Sequence, residues 1–165
     1  MSMANALIQE LEMEAATTRR VLERVTDAQM QWSPAPKSRT LGQLAMHIAV
    51  NPANVSSMSA QNPADLPAFP EVTATSTAEV LSTLDKSMAT AKQVLGGMSD
   101  AALHETWRAR VNGAEVMAVP RIVFLRSILL NHWYHHRGQL SVYLRLLGTP
   151  VPSIYGPSAD ENPFM

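Results

Sequence analysis

"PRIVFLRSILLNHWYHHRGQLSVYLRLLGTP", residues 120–150, decides how the chain is read. Pro120 suits the first position of a helix, where a missing N–H leaves nothing unpaired. Gly148-Thr149-Pro150 closes a helix, so the stretch predicts one that runs to about Leu147. At about 3.6 residues per turn, Leu125, Leu129, His132, His136, Leu140, Tyr143 and Leu147 fall on a single stripe. His135 and Arg137 lie to its two sides. An apolar stripe facing a core therefore carries two histidines at i and i+4, a spacing at which two imidazoles reach one ion. The same spacing is met by two core histidines that are merely hydrogen-bonded, because buried ring nitrogens need partners.

Outward from this helix, "TWRARVNGAEVMAV", 106–119, holds Asn112-Gly113 between two short extended runs, a strong hairpin signal. Upstream, Ser76 or Thr77 can cap a helix through Leu95, ended by Gly96-Gly97. Residues 60–77 form a Pro/Ala/Thr-rich connection, long enough to cross one end of a bundle. Thr40 caps a further helix from Leu41. Asn51-Pro52 is expected to kink or end it, with resumption to about Ser59. Residues 3–25 read as an amphipathic helix through Leu7, Leu11, Ala15, Val21 and Val25. The Pro-rich tail, 151–165, has no helical period. Four long helices, one crossover connection and a hairpin before the last helix predict an all-α four-helix bundle in one domain spanning 1–165.

Composition narrows the function classes. Apolar residues are 46% and charged residues 16%, a globular rather than disordered balance. Thirteen basic and fourteen acidic residues give a net charge of −1 with no basic run, which argues against nucleic acid. No run is apolar and long enough to span a membrane, and the N-terminus does not read as a signal peptide. A cytoplasmic protein is expected. There is no cysteine, which excludes disulfides, thiolate ligands and a cysteine nucleophile.

Metal sites in bundles draw ligands from facing helices, and the helix from Leu41 offers His47 in "TLGQLAMHIAV". Two histidines plus one is the arithmetic of a catalytic site with an open position. Glu-x-x-His pairs of the di-iron type are absent, and "HETWR", 104–108, has Arg108 where a zincin helix needs histidine, so His104 reads as a surface residue.

"KSRTLGQLAMHIA", 37–49, "NHWYHHRGQL", 131–140, and "LLGTPVPSIYGPSADE", 146–161, stand in an order and spacing that resemble the DinB-like family, within the wider DinB/YfiT-like group of metalloenzymes. The resemblance covers nearly the whole chain. It implies an up-down-down-up four-helix bundle, commonly a homodimer, with metal held by His47, His132 and His136. Some relatives use a thiol, to transfer bacillithiol or to isomerise maleylpyruvate with mycothiol. The family's name comes from a DNA-damage-inducible gene, which suggests a role in stress response.

The expected function is a divalent-metal-dependent enzyme acting on a small molecule. Zinc and nickel both suit imidazole ligands. Water or a low-molecular-weight thiol in the open position would make it a hydrolase or a thiol S-transferase. A non-catalytic metal-binding protein and a metal-free helical dimer are the alternatives. Gln43, Asn51 and Gln139 are candidates to orient the ligands. Tyr155, Asp160 and Glu161 are placed to fold over the site mouth or to lie on the surface. Arg137 is expected in a structural ion pair, Trp133 at the stripe's edge, and Gly138 at a close helix approach.

Overall fold

The structure, a computed structural model, describes residues 1–66, 68 and 71–164. Of the expected connection 60–77, residues 67, 69 and 70 lie outside the described residues, as does Met165. The chain forms the expected four-helix bundle, with a small sheet before the last helix.

Helix α1 spans Met3–Leu22 and buries Leu7, Leu11, Val21 and Leu22. It ends three residues before the predicted limit. Arg24 and Val25 N–H donate to the carbonyls of Val21 and Leu22, three residues back, which tightens the chain out of α-geometry. Helix α2, Leu41–Ser59, starts with a capping box: Gln43 N–H donates to Thr40 Oγ1 at 3.2 Å, and Thr40 N–H donates to Gln43 Oε1 at 2.8 Å. Gly42 lies against the chain before it. A Cβ there would sit 3.0 Å from Thr73 Cγ2 and 3.1 Å from the Ala74 and Met30 carbonyls.

Helix α2 runs through Pro52 without ending. Proline cannot donate to the carbonyl four residues back. That carbonyl, Ile48, is instead met by the Trp133 indole N–H at 2.8 Å. Ala53 N–H donates to Ser87 Oγ of helix α3, Thr77–Gly96. Ser76 caps α3, as its position predicts. Long-range partners on two helices thus make good the backbone groups that the proline frees.

A short helix α4, Asp100–His104, follows, capped by Ser99. Five residues are too few for periodicity to announce it. Strands β2, Thr106–Val111, and β3, Ala114–Pro120, form the predicted hairpin, with Asn112 at φ 51° and Gly113 at φ 80°, the conformation the Asn-Gly pair favours. A third strand, β1, Ala64–Asp65, pairs in parallel with β2 and was not expected from the connection. Two residues carry no alternation to read. Along β2 the side chains alternate, and Trp107 and Ala109 point into the core.

The last helical run is not one uniform α-helix. After α5, Arg121–Phe124, residues Leu125–Asn131 form a π-turn, and α6 spans His132–Leu146. Pro120 caps this run and Arg121 is its first residue. The π-turn shifts the helical phase, so Leu129 and Leu130 are both buried and Trp133 is fully so. A wheel drawn at constant pitch put Trp133 at the edge. The relation of His132 to His136 survives because both follow the shift. Arg121, itself buried, donates through Nε to the Ser59 carbonyl at 2.9 Å and closes the end of α2. Gly138 is exposed and has open space where a Cβ would lie, so the close approach expected there is absent.

Candidate metal centre

His47 of α2 and His132 and His136 of α6 converge. His132 Nε2 lies 3.0 Å from His47 Nε2 and 3.1 Å from His136 Nε2. One nitrogen from each of the three lies within 4.8 Å of the others. Among the described residues, no cysteine, carboxylate or further histidine joins the group. His135, one residue from the nearest ligand candidate, is exposed and outside it, as is His104.

Two contacts set the register of these helices. Trp133 donates to the carbonyl of Ile48, the neighbour of His47. Asn51 Nδ2 donates to the carbonyl of Leu129, in the π-turn, at 3.0 Å. Each residue that makes or receives these bonds is within four positions of a site histidine. Asn51 therefore acts on the backbone rather than on an imidazole. Gln43 is held in the capping box and does not orient a ligand either. Gln139 does: its Oε1 lies 2.7 Å from His136 Nδ1. With Gln139 Oε1 as the acceptor, the His136 hydrogen sits on Nδ1 and Nε2 is left as a lone pair.

The cluster is consequently short of hydrogens. His136 Nε2 can only accept, so His132 Nε2 must donate to it, and His132 then cannot accept from His47. With His136 protonated at Nδ1, no neutral assignment gives both short contacts a hydrogen of their own. A cation at the point of convergence resolves this. Nitrogens this close can share one ion, because two zinc–nitrogen bonds of about 2.0–2.1 Å reach about 4 Å between them.

Burial holds the three rings neutral. It is the main cause that lowers His47 to a pKa of about 4, with help from the charge of Arg39 and from His132. Burial likewise takes His136 to about 4, against the opposing effect of the Gln139 contact. His132 is lowered too, by burial first and then by His135 and Arg39. Neutral imidazole is the form that binds metal.

A cavity of about 490 Å³ opens beside His47 and His132. Arg39 and Glu71 line it as well, paired with Arg39 Nε 3.0 Å from both carboxylate oxygens. The Arg39 contact holds the Glu71 carboxyl below the usual carboxylate range. The sequence reading missed both residues. Glu71 lies within the proline-rich connection, where no motif or period marks it, and Arg39 precedes a cap.

The tail does not cover this site. Tyr155 reaches Arg137 and Glu14, Asp160 is paired with Arg145, and Glu161 is paired with Arg20. Arg137 is 1% exposed. It donates to Glu14 Oε2 at 2.6 Å and to Thr18 Oγ1 at 3.1 Å, the structural ion pair expected of it. The tail therefore fastens α6 to α1 on another face.

The model of the DinB family matches residues 1–163. YrdA, an uncharacterized protein of Bacillus subtilis, is 28% identical over 156 residues, covering 91% of this chain and 86% of its own. The crystal structure of a DinB-like protein from Bacillus cereus superposes with a TM-score of 0.73 at 25% identity, over 92% of this chain and 97% of that one. YfiT from Bacillus subtilis, described as a probable metal-dependent hydrolase with an unusual four-helix bundle topology, shares the fold with a TM-score of 0.64 at 16% identity, over 89% of each chain.

Proposed function

The chain belongs to the DinB family, and on that premise we propose that it is a divalent-metal-dependent hydrolase whose ion is held by His47, His132 and His136. The observation that carries this reading is the convergence of three Nε2 atoms at the edge of a cavity. Three protein ligands beside an open space match a catalytic rather than a closed structural site. YfiT's description as a probable metal-dependent hydrolase supports the same class. Zinc and nickel are the metals we favour, since the donor set is all imidazole.

When bound, the ion supplies Lewis acidity and lowers the pKa of water at its open position. The chain's residues do the rest. Gln139 fixes the His136 ring so that Nε2 faces the ion. Burial keeps all three rings unprotonated at neutral pH. Glu71, paired with Arg39 in the wall of the same cavity, is our candidate to orient the attacking group. A low-molecular-weight thiol in place of water would turn this site to S-transfer. A homodimer belongs to the proposal, supported by exposed Val142 and Leu146 on α6. No helix among the described residues is long and apolar enough to cross a membrane.

The test is a panel of carboxylic esters and amides assayed with zinc- and nickel-loaded protein, with His136→Ala and Glu71→Gln beside it. The proposal expects turnover that both variants lose, with metal retained only in Glu71→Gln. Metal-loaded protein that turns over neither class, but consumes an added thiol with an electrophile, would move the assignment to S-transferase.

A further inference from the structure

Beyond the three histidines, the cavity has a chemistry of its own. Its apolar lining includes Val55, Met58, Trp107, Phe124 and Ile128, with Met117 contributing from an exposed position. Trp107 and Phe124 stack with ring centroids 3.8 Å apart. Two polar groups of its lining are already committed. Trp107 Nε1 donates to the Gln61 carbonyl at 2.8 Å, and the Asn51 amide donates to Leu129. Among the described residues, no buried side-chain nitrogen or oxygen lacks a partner. Ionisable groups are confined to one end, where His47, His132, Arg39 and Glu71 meet.

We infer that this cavity takes the apolar body of an amphiphilic substrate, a medium-length alkyl or arylalkyl group, with its reacting polar head at the histidines. The inference rests on the hydrolase reading only for where the head lies. A volume near 490 Å³ falls within the roughly 300–1,000 Å³ of small-molecule sites. Walls that are mainly apolar, with Asn54 and the Oδ1 of Asn51 as exceptions, give a polar body few partners to replace its lost water, and so disfavour it. The methionines on the wall can adjust to chains of different shape. The inference also gives the hairpin a role. Its alternation turns Trp107 inward, and β3 contributes Met117, so the sheet is one wall of the binding site.

The experiment uses two homologous series. Alkyl hydroxamates, from acetohydroxamate to octanohydroxamate, carry a metal-binding head and are titrated into the zinc-loaded protein. Straight-chain alcohols, from butanol to octanol, have no metal-binding head and are titrated into the metal-free protein. Affinity should rise about fourfold per methylene in both, the fold-change equivalent to about 0.8 kcal/mol per buried CH₂. Val50→Trp and Met58→Trp, which fill the cavity from half-buried positions, should flatten both slopes and leave zinc content unchanged. Affinities independent of chain length in both series would overturn the inference. If the protein takes up no zinc, the alcohol series still decides. A slope there sustains the apolar site while the metal reading falls, and a flat line removes the apolar site too.

Discussion

Gln139 is exposed and sits one turn beyond His136, yet its Oε1 contact with Nδ1 decides which nitrogen of that ring faces the cluster. Contacts of this kind are worth about 10–100-fold in metal affinity. Gln139→Leu should weaken zinc binding by that factor and leave the urea midpoint close to wild type. Gln139→Glu, which keeps an acceptor, should restore the affinity. Equal zinc affinity in Gln139→Leu would show that the tautomer is set elsewhere. The ligand candidates were readable from the chain because their relation is local: His132 and His136 are one helical turn apart, and only His47 had to be brought from another helix. Arg39 and Glu71 were not readable. Their pairing joins residues 32 apart, from the cap region of α2 to a connection without period, and no spacing links the two.

Pro52 and the π-turn explain why α2 and α6 meet in this register. The carbonyl freed by the proline accepts from Trp133, and a carbonyl within the π-turn accepts from Asn51. Trp133→Phe keeps an aromatic ring but leaves the Ile48 carbonyl buried without its donor. The expected cost is about 1–3 kcal/mol, read as a lower urea midpoint. Zinc affinity should fall with it, because His47 and His132 adjoin the bonded pair. Undiminished zinc affinity in a destabilised Trp133→Phe would separate fold from site. At the start of α2, Gly42→Ala would drive a Cβ against the Ala74 and Met30 carbonyls. Backbone on two sides cannot yield as a flexible side chain can, so a loss of about 1–3 kcal/mol is expected. A midpoint equal to wild type would contradict the contact. Caps and the hairpin were legible since their signals lie within a few residues. The π-turn was not, because nothing in the local residue pattern of Leu125–Asn131 marks a change of helical period. The strand Ala64–Asp65 is too short to alternate, and the close approach assigned to Gly138 belongs instead to Gly42.

For the molecule entire, the half-buried His47 and the buried His136 couple folding to pH. His47 and His136 have folded values of about 4 against 6.5 when unfolded. Between those values the unfolded chain binds more protons, so stability rises with pH there. The contribution is fully present above about pH 6.5 and lost as pH falls toward about 4. Metal-free protein should melt progressively lower over this window, and His136→Gln should show a shallower decline. A decline of the same steepness in the variant would place the dependence on carboxylates such as Glu71, whose lowered pKa acts in the same direction. One ion shared by two helices is the central prediction. Its most direct test is metal content by mass spectrometry of the untagged protein, beside His47→Ala, His132→Ala and His136→Ala, each checked for helical content. About one divalent ion per chain, lost in all three folded variants, is the predicted result. Wild-type protein that holds no metal after incubation with zinc and nickel would contradict the account, and the three rings would then be a hydrogen-bonded cluster between two helices.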